Sequence, residues 1–292
     1  MDVWIIINPI LKVILYGASF LSVGSFFFSL HFAKHLTVAQ KDYCNTLAVK
    51  TAFVGAVTSL LMVLSVAGNL GGDIASVIEP LMLQLALESK SGAGYVTAFL
   101  GFTGMLIAYR LRGNANSVGL LISSAAILLS FTMSGHSQLG GFLSQSLLMI
   151  HLLGLAFWLG ALLPFRWMCL QHDTHNLNII AHRFGVLALG YVSLLLSAGL
   201  GYAYLLLGDA SLLFTTQYGN VLLVKVVLVM SLLSLAALNK FKLVPSLESK
   251  QTNAVMQFHR SVQFEIAIAL IILIASSLLT TSMTLPMGMR ND

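Results

Sequence analysis

Residues 145–168 read QSLLMIHLLGLAFWLGALLPFRWM. The stretch holds no acidic side chain, and its one permanent charge, Arg166, falls two residues from its end. About 20 apolar residues in a helix span the ~30 Å hydrocarbon core of a bilayer, so this stretch is long enough to cross. It shows no alternation of period two, which excludes a barrel strand and leaves a helix. Seven further runs of the same kind lie at roughly 5–33, 47–69, 92–109, 117–134, 183–207, 219–239 and 261–283. The expected fold is all-α: a polytopic integral membrane bundle of eight transmembrane helices, forming a single transmembrane domain over residues 1–292.

Composition agrees. The chain is 58% hydrophobic and only 9% charged, with a mean hydropathy of +0.90. A soluble domain carries about 25% charged residues, so this chain cannot cover itself with polar groups and its solvent must be lipid. The first apolar run begins almost at Met1, carries Asp2 in place of a basic flank and is too long for a removable signal peptide, which is therefore not expected. The segment 73–90, with Pro80 ahead of LMLQLALES, is too short to span and reads as an amphipathic helix lying along the interface.

Loop charge gives an orientation. The connections after the odd-numbered runs, with their helix ends, hold Lys34, Lys41, Arg110, Arg112, Arg166, Arg183, Lys240, Lys242, Lys250 and Arg260. The other side holds Lys90 and Arg290. Basic residues collect on the cytoplasmic side, so both termini are expected outside. The net charge of +5 is thereby explained as a topology signal and does not point to nucleic acid. Cys44 and Cys169 fall on the cytoplasmic side, where a disulfide is not expected. No Cys-x-x-Cys motif and no Gly-Lys-Ser/Thr phosphate loop occurs, which disfavours an ATP-driven pump, and no internal repeat supports an inverted-repeat transporter.

Chemistry-bearing residues gather at the expected outer end. His136 lies in SGHSQLGG, the tight connection between the fourth and fifth runs, and His151 lies about two turns into the fifth. Gly154 and Trp158, at i+3 and i+7, share the face of His151, the glycine leaving space beside the imidazole and the indole walling the site below. Met133 precedes His136 by about one turn, and the C-terminal TSMTLPMGM brings Met283 and Met287 to the same side. Imidazole and thioether together suit copper, thioether favouring Cu(I). Packing of interfacial histidines and gap-filling methionines is the alternative reading.

Three charges interrupt the apolar runs. Lys12 and Lys225 fall about two turns from the outer surface and Glu265 about one turn from the inner, near Asn239 in depth. Each costs roughly 2.5–3.5 kcal/mol at a central position if unpaired, so such residues face a bundle interior or a wet cavity. The lysines are expected to shape the field of the outer cavity, and Glu265 with Asn239 to form an inward path; snorkelling with a structural hydrogen bond is the alternative. The remaining histidines, His31, His35, His172, His175, His182 and His259, are dispersed on the inner side and read as surface or interfacial residues.

The run SGH at 134–136, His-x6-WLGALL from His151, RFG at 183–185, QYGNVLLVK at 217–225, LNK at 238–240 and Arg260-x4-Glu265 together resemble the copper resistance protein D (CopD) family. The resemblance covers about residues 120–283 well; the first half agrees mainly in hydropathy, with Lys12 standing where a basic residue of the first span is expected. It implies an inner-membrane protein that moves copper toward the cytoplasm, alongside a separate periplasmic CopC-like copper-binding protein. The expected protein is a transporter and not an enzyme, with His136, His151, Met133, Met283 and Met287 as metal ligands. Lys12, Trp158, Lys225, Asn239 and Glu265 line its cavity or pathway. Two other readings stay open: a haem-binding or redox membrane protein with His151 as an axial ligand, and a non-conducting scaffold for a periplasmic copper carrier.

Overall fold

A computed structural model describes residues 3–134, 141–174, 176–207 and 212–281. The described residues are helical, in the order α1 Trp4–Phe32, α2 Val38–Gly71, α3 Pro80–Glu88, α4 Lys90–Ala108, α5 Asn114–Ser130, α6 Gly141–Cys169, α7 Leu177–Leu207, the single turn α8 Leu212–Thr215, α9 Gln217–Leu238, α10 Val244–Glu248 and α11 Ala254–Thr281. Among the described residues, seven helical segments are long and apolar enough to cross a membrane; α5 is apolar but shorter, at 17 residues.

Local chemistry sets the helix ends. The second helix starts nine residues before the apolar run, because Thr37 and Gln40 form a reciprocal cap: Gln40 N–H donates to Thr37 Oγ1 (3.3 Å) and Thr37 N–H to Gln40 Oε1 (2.9 Å). It ends at Gly72, whose φ of 81° is one a side chain would resist. Asp73 follows, accepting from Ser76 N–H (2.8 Å) and Ser76 Oγ–H (2.6 Å), and these donors hold its carboxyl below the ordinary aspartate range. The 73–90 segment becomes a turn of 3₁₀ helix, Ala75–Ile78, and then α3, with Pro80 at its first turn, where a missing N–H costs nothing.

The end of α9 departs from regular helix. Residues 239–243 form a π turn in which Val244 N–H bonds to Asn239 O, five residues back. Pro245 follows, and the extra residue accommodates a ring that would otherwise collide with the preceding turn.

The first helix is the hub. It packs on α2, α6 and α11; α2 carries α4, which carries α5, while α6 carries α7 and α11 carries α9. Small residues make these contacts close, as membrane interfaces require where no hydrophobic force drives association. Ser19 and Ser22 lie on the buried face of α1 and satisfy their hydroxyls on its own carbonyls, Ser19 Oγ to Leu15 O (2.7 Å) and Ser22 Oγ to Ser19 O (3.2 Å). Below them α1 and α6 touch backbone to backbone at Gly24 and Gly160. Cys44 is buried, Cys169 is half-buried and neither forms a disulfide.

Candidate functional site

His151 projects from α6 toward α7. The two helices meet closely because a Cβ on Gly154 would come within 2.8 Å of Leu195 Cβ and 3.1 Å of Tyr191 O. The space beside the imidazole comes from another glycine. On α7, a Cβ at Gly199 would lie 2.8 Å from His151 Nδ1 and 2.9 Å from its Cε1. Gly154, expected to make that space, serves the helix contact instead, and the sequence carried no signal separating the two roles. Nδ1 lies 3.0 Å from Leu195 O. A carbonyl only accepts, so Nδ1 carries the proton and Nε2 keeps its lone pair. A ring held by a backbone carbonyl through one nitrogen, with the other left to donate electrons, is the arrangement found in metal-binding histidines. Lys225 on α9 is within electrostatic range of this ring and has no hydrogen-bond or ion-pair partner among the described residues.

The other expected outer ligands are placed differently. His136, Met283 and Met287 lie outside the described residues. Met133 follows the end of α5 and packs toward α4, its Cβ 3.6 Å from where a Cβ on Gly94 would stand. The described contacts of His151 are to α7 and those of Met133 to α4, so nothing described joins the two.

Lys12 sits in an aromatic box near the start of α1. It is 7% exposed, its Nζ donates to Tyr95 Oη at 3.4 Å, and it lies 5.1 Å from the Tyr95 ring, 5.5 Å from Phe131 and 5.7 Å from Tyr16. Ring faces attract a desolvated ammonium by up to about 2 kcal/mol each, which offsets much of its burial. The three rings come from α1, α4 and the end of α5, whereas the described contacts of His151 are to α7, so no described contact joins the two lysines. Nothing in the order of the sequence announced Tyr16, Tyr95 and Phe131 as partners of Lys12.

Glu265 on α11 is 3% exposed and accepts from two helices: from Trp158 Nε1–H at 3.2 Å on α6 and from Asn239 Nδ2–H at the π turn. Trp158 therefore belongs to this group, and the expected wall below His151 is not the contact its N–H makes. The far oxygen of the amide, Asn239 Oδ1, is buried with no partner among the described residues. Glu265, Asn239 and Trp158 line a cavity of ≈ 250 Å³ between α6, α7, α9 and α11.

The histidines toward the opposite end of α1 do not converge. His31 has both ring nitrogens engaged, Nδ1 with Phe27 O (2.8 Å) and Nε2 with Tyr191 Oη (3.2 Å). His182 Nδ1 pairs with Glu248 at 2.8 Å on the surface. His259 Nε2 is buried with no partner among the described residues, and His175 lies outside them. No group of three His, Cys, Asp or Glu side chains is placed to hold a metal ion among the described residues.

Comparison with known proteins accounts for both halves of the chain. Residues 1–145 match the family described as "Copper resistance protein D-like, N-terminal domain" and residues 179–279 match "Copper resistance protein D". The first match extends the likeness into the half where only hydropathy had carried it. The chain is 28% identical over 240 residues to "Inner membrane protein YebZ" of Escherichia coli (strain K12), across 79% of this chain and 82% of that one. No solved structure matches the chain significantly. With both family regions in their expected order on a bundle of apolar helices, this chain is a multi-pass inner-membrane protein and belongs to the copper resistance protein D family.

Proposed function

We propose that the protein binds copper at its periplasmic mouth and passes it toward the cytoplasm, with copper as cargo and no bond made or broken. The observation that carries this reading is the imidazole of His151, held through Nδ1 by Leu195 O and left with a ligating Nε2. His136 supplies the second imidazole, and Met133, Met283 and Met287 are the candidate thioethers that complete a soft ligand set for Cu(I) or Cu(II). Lys225 sets the field beside the site, Lys12 holds its own wing closed, and Glu265 with Asn239 and Trp158 forms the polar station on the inward path. Helix α5 is the eighth span: its 17 residues reach about 25 Å, at the short end of what crosses a bilayer. An even number of spans and ten basic residues against two then put both termini in the periplasm. A separate CopC-like protein would deliver copper there.

Metal analysis and an absorption spectrum of detergent-purified protein test the reading at once. Bound copper without a Soret band is the expected result, and a Soret band overturns it in favour of haem. Copper accumulation by proteoliposomes then separates a conductor from a scaffold, which would bind without accumulating. His136→Ala is expected to weaken binding strongly, Met287→Leu modestly, and His172→Ala and His175→Ala little. Gly199→Ala puts a methyl where the imidazole now lies and is expected to weaken copper binding about tenfold, the scale on which supports of a metal ligand act. A titration that finds parental affinity in that variant removes Gly199 from the site.

A further inference from the structure

Away from Glu265, Asn239 and Trp158, the cavity they line has mostly apolar walls. Along α7, Ala181, Gly185 and Ala188 fall at i, i+4 and i+7 and form a strip of small residues, flanked in the lining by Phe184, Leu189 and Val192 of the same helix. Across from them stand aromatic rings of α6 and α11, with Phe165 edge-on to Phe258 at 5.7 Å between centroids. The space is therefore a slot of apolar walls, and its ≈ 250 Å³ lies just below the usual range for sites of drug-sized ligands, enough for one ring.

One end of the slot is polar, and it holds an acceptor with no donor of its own among the described residues. Glu265 receives hydrogen bonds from Trp158 and Asn239 but keeps further lone pairs, and Asn239 Oδ1 is buried without a donor among the described residues. A buried acceptor left without a donor is costly, so the site asks for a donor from its occupant. The mouth opens on the outer flank of the bundle. Leu189 and Phe241 line the cavity and are also 55% and 74% exposed on the flank of the bundle, while Lys240 Nζ bonds to Gly185 O (3.0 Å) and bridges the two helices at the rim. Since α7 rests on α6 and α9 on α11, the gap between α7 and α9 opens sideways.

We propose that this slot binds a lipid-soluble single-ring phenol or hydroquinone that enters from the bilayer between α7 and α9, its ring between the small-residue strip of α7 and the aromatic rings, and its hydroxyl donating to Glu265 or Asn239 Oδ1. The aromatic rings and the small-residue strip fit a ring, the unpartnered Asn239 Oδ1 favours a donor over a carbonyl or ether, and the lateral mouth suits a molecule carried in lipid. The proposal does not depend on copper binding at His151, which lies on the α6–α7 face beside Leu195 and Gly199.

The test uses a tritiated hydroquinone with a ten-carbon tail, its di-O-methyl ether, and the full chain in lipid-supplemented detergent, read by equilibrium binding. Saturable binding of the hydroquinone near one per chain is expected, with at least about tenfold weaker binding of the ether, because its oxygens cannot donate. Ala188→Phe fills the slot and should abolish binding; Glu265→Gln keeps the shape, replaces an acceptor oxygen by an amide NH2 and should weaken binding about tenfold. Ala188→Phe should bind copper like the parent, so a failure here and a failure at His151 are told apart. The proposal is overturned if the parent shows no saturable binding, if the ether binds as well as the hydroquinone, or if both variants retain parental affinity.

Discussion

His151→Ala is expected to abolish high-affinity copper binding, with a loss of at least about a hundredfold, while the protein inserts and folds as before. Removing a group that merely supports a metal ligand costs roughly 10–100-fold, and here a ligand itself is lost. The fold should survive because the imidazole contributes one hydrogen bond, to a carbonyl that the α7 helix bonds in its own ladder. No buried group is left stranded, so the usual penalty for breaking a buried pair does not arise. His151→Gln keeps a polar side chain of similar length but presents no imidazole nitrogen, and it should fail like the alanine variant. Isothermal titration with copper, beside a thermal melt of each variant, measures both halves of the expectation. Parental affinity in His151→Ala would end the assignment of this residue as a ligand.

Gly24→Ala should cost more stability than any other single methyl added to α1. A Cβ there would stand 2.1 Å from Ala156 O and 2.5 Å from Gly160 Cα, and both are backbone atoms that no rotamer change can move aside. The helices must separate, and overpacking of this kind costs about 1–3 kcal/mol or more. The contact is the join between the hub helix and α6, so the effect reaches the placement of His151. Gly17→Ala is the control on the same helix: nothing lies within 4 Å of its Cβ position. An alanine in a helix interior is favoured over glycine by roughly 0.5–1 kcal/mol, so this variant should be neutral or slightly stabilised. Thermal unfolding followed by circular dichroism should show a lower Tm for Gly24→Ala alone. Equal melting of the two variants would mean that α1 and α6 do not meet in this way.

Much of the candidate site was legible at the level of residue type and little at the level of partners. His151, Lys12, Lys225 and Glu265 stood out because a polar group in an apolar run is conspicuous, and the nearness of Glu265 to Asn239 followed from counting turns. Trp158 shares a helix face with His151, yet its N–H goes to a residue 107 positions away. Gly154 and Gly199 look alike as letters; one serves a helix contact and the other makes room for a ring. The short π turn that runs from Asn239 to Leu243 before Pro245 also left no trace in hydropathy.

What the amino-acid order determined alone is the class of structure. A chain with too few charges to face water must face lipid, and a backbone in lipid must satisfy its own hydrogen bonds, which in long continuous apolar runs means helices. The tertiary structure decided which helices are neighbours. In a bilayer every helix offers an apolar flank, so hydropathy cannot choose among partners; the choice falls to the fit of small residues and to a few buried polar groups whose donors come from elsewhere in the chain. That is why Gly24 meets Gly160, why Leu195 holds His151, and why three separate helices close around one carboxylate.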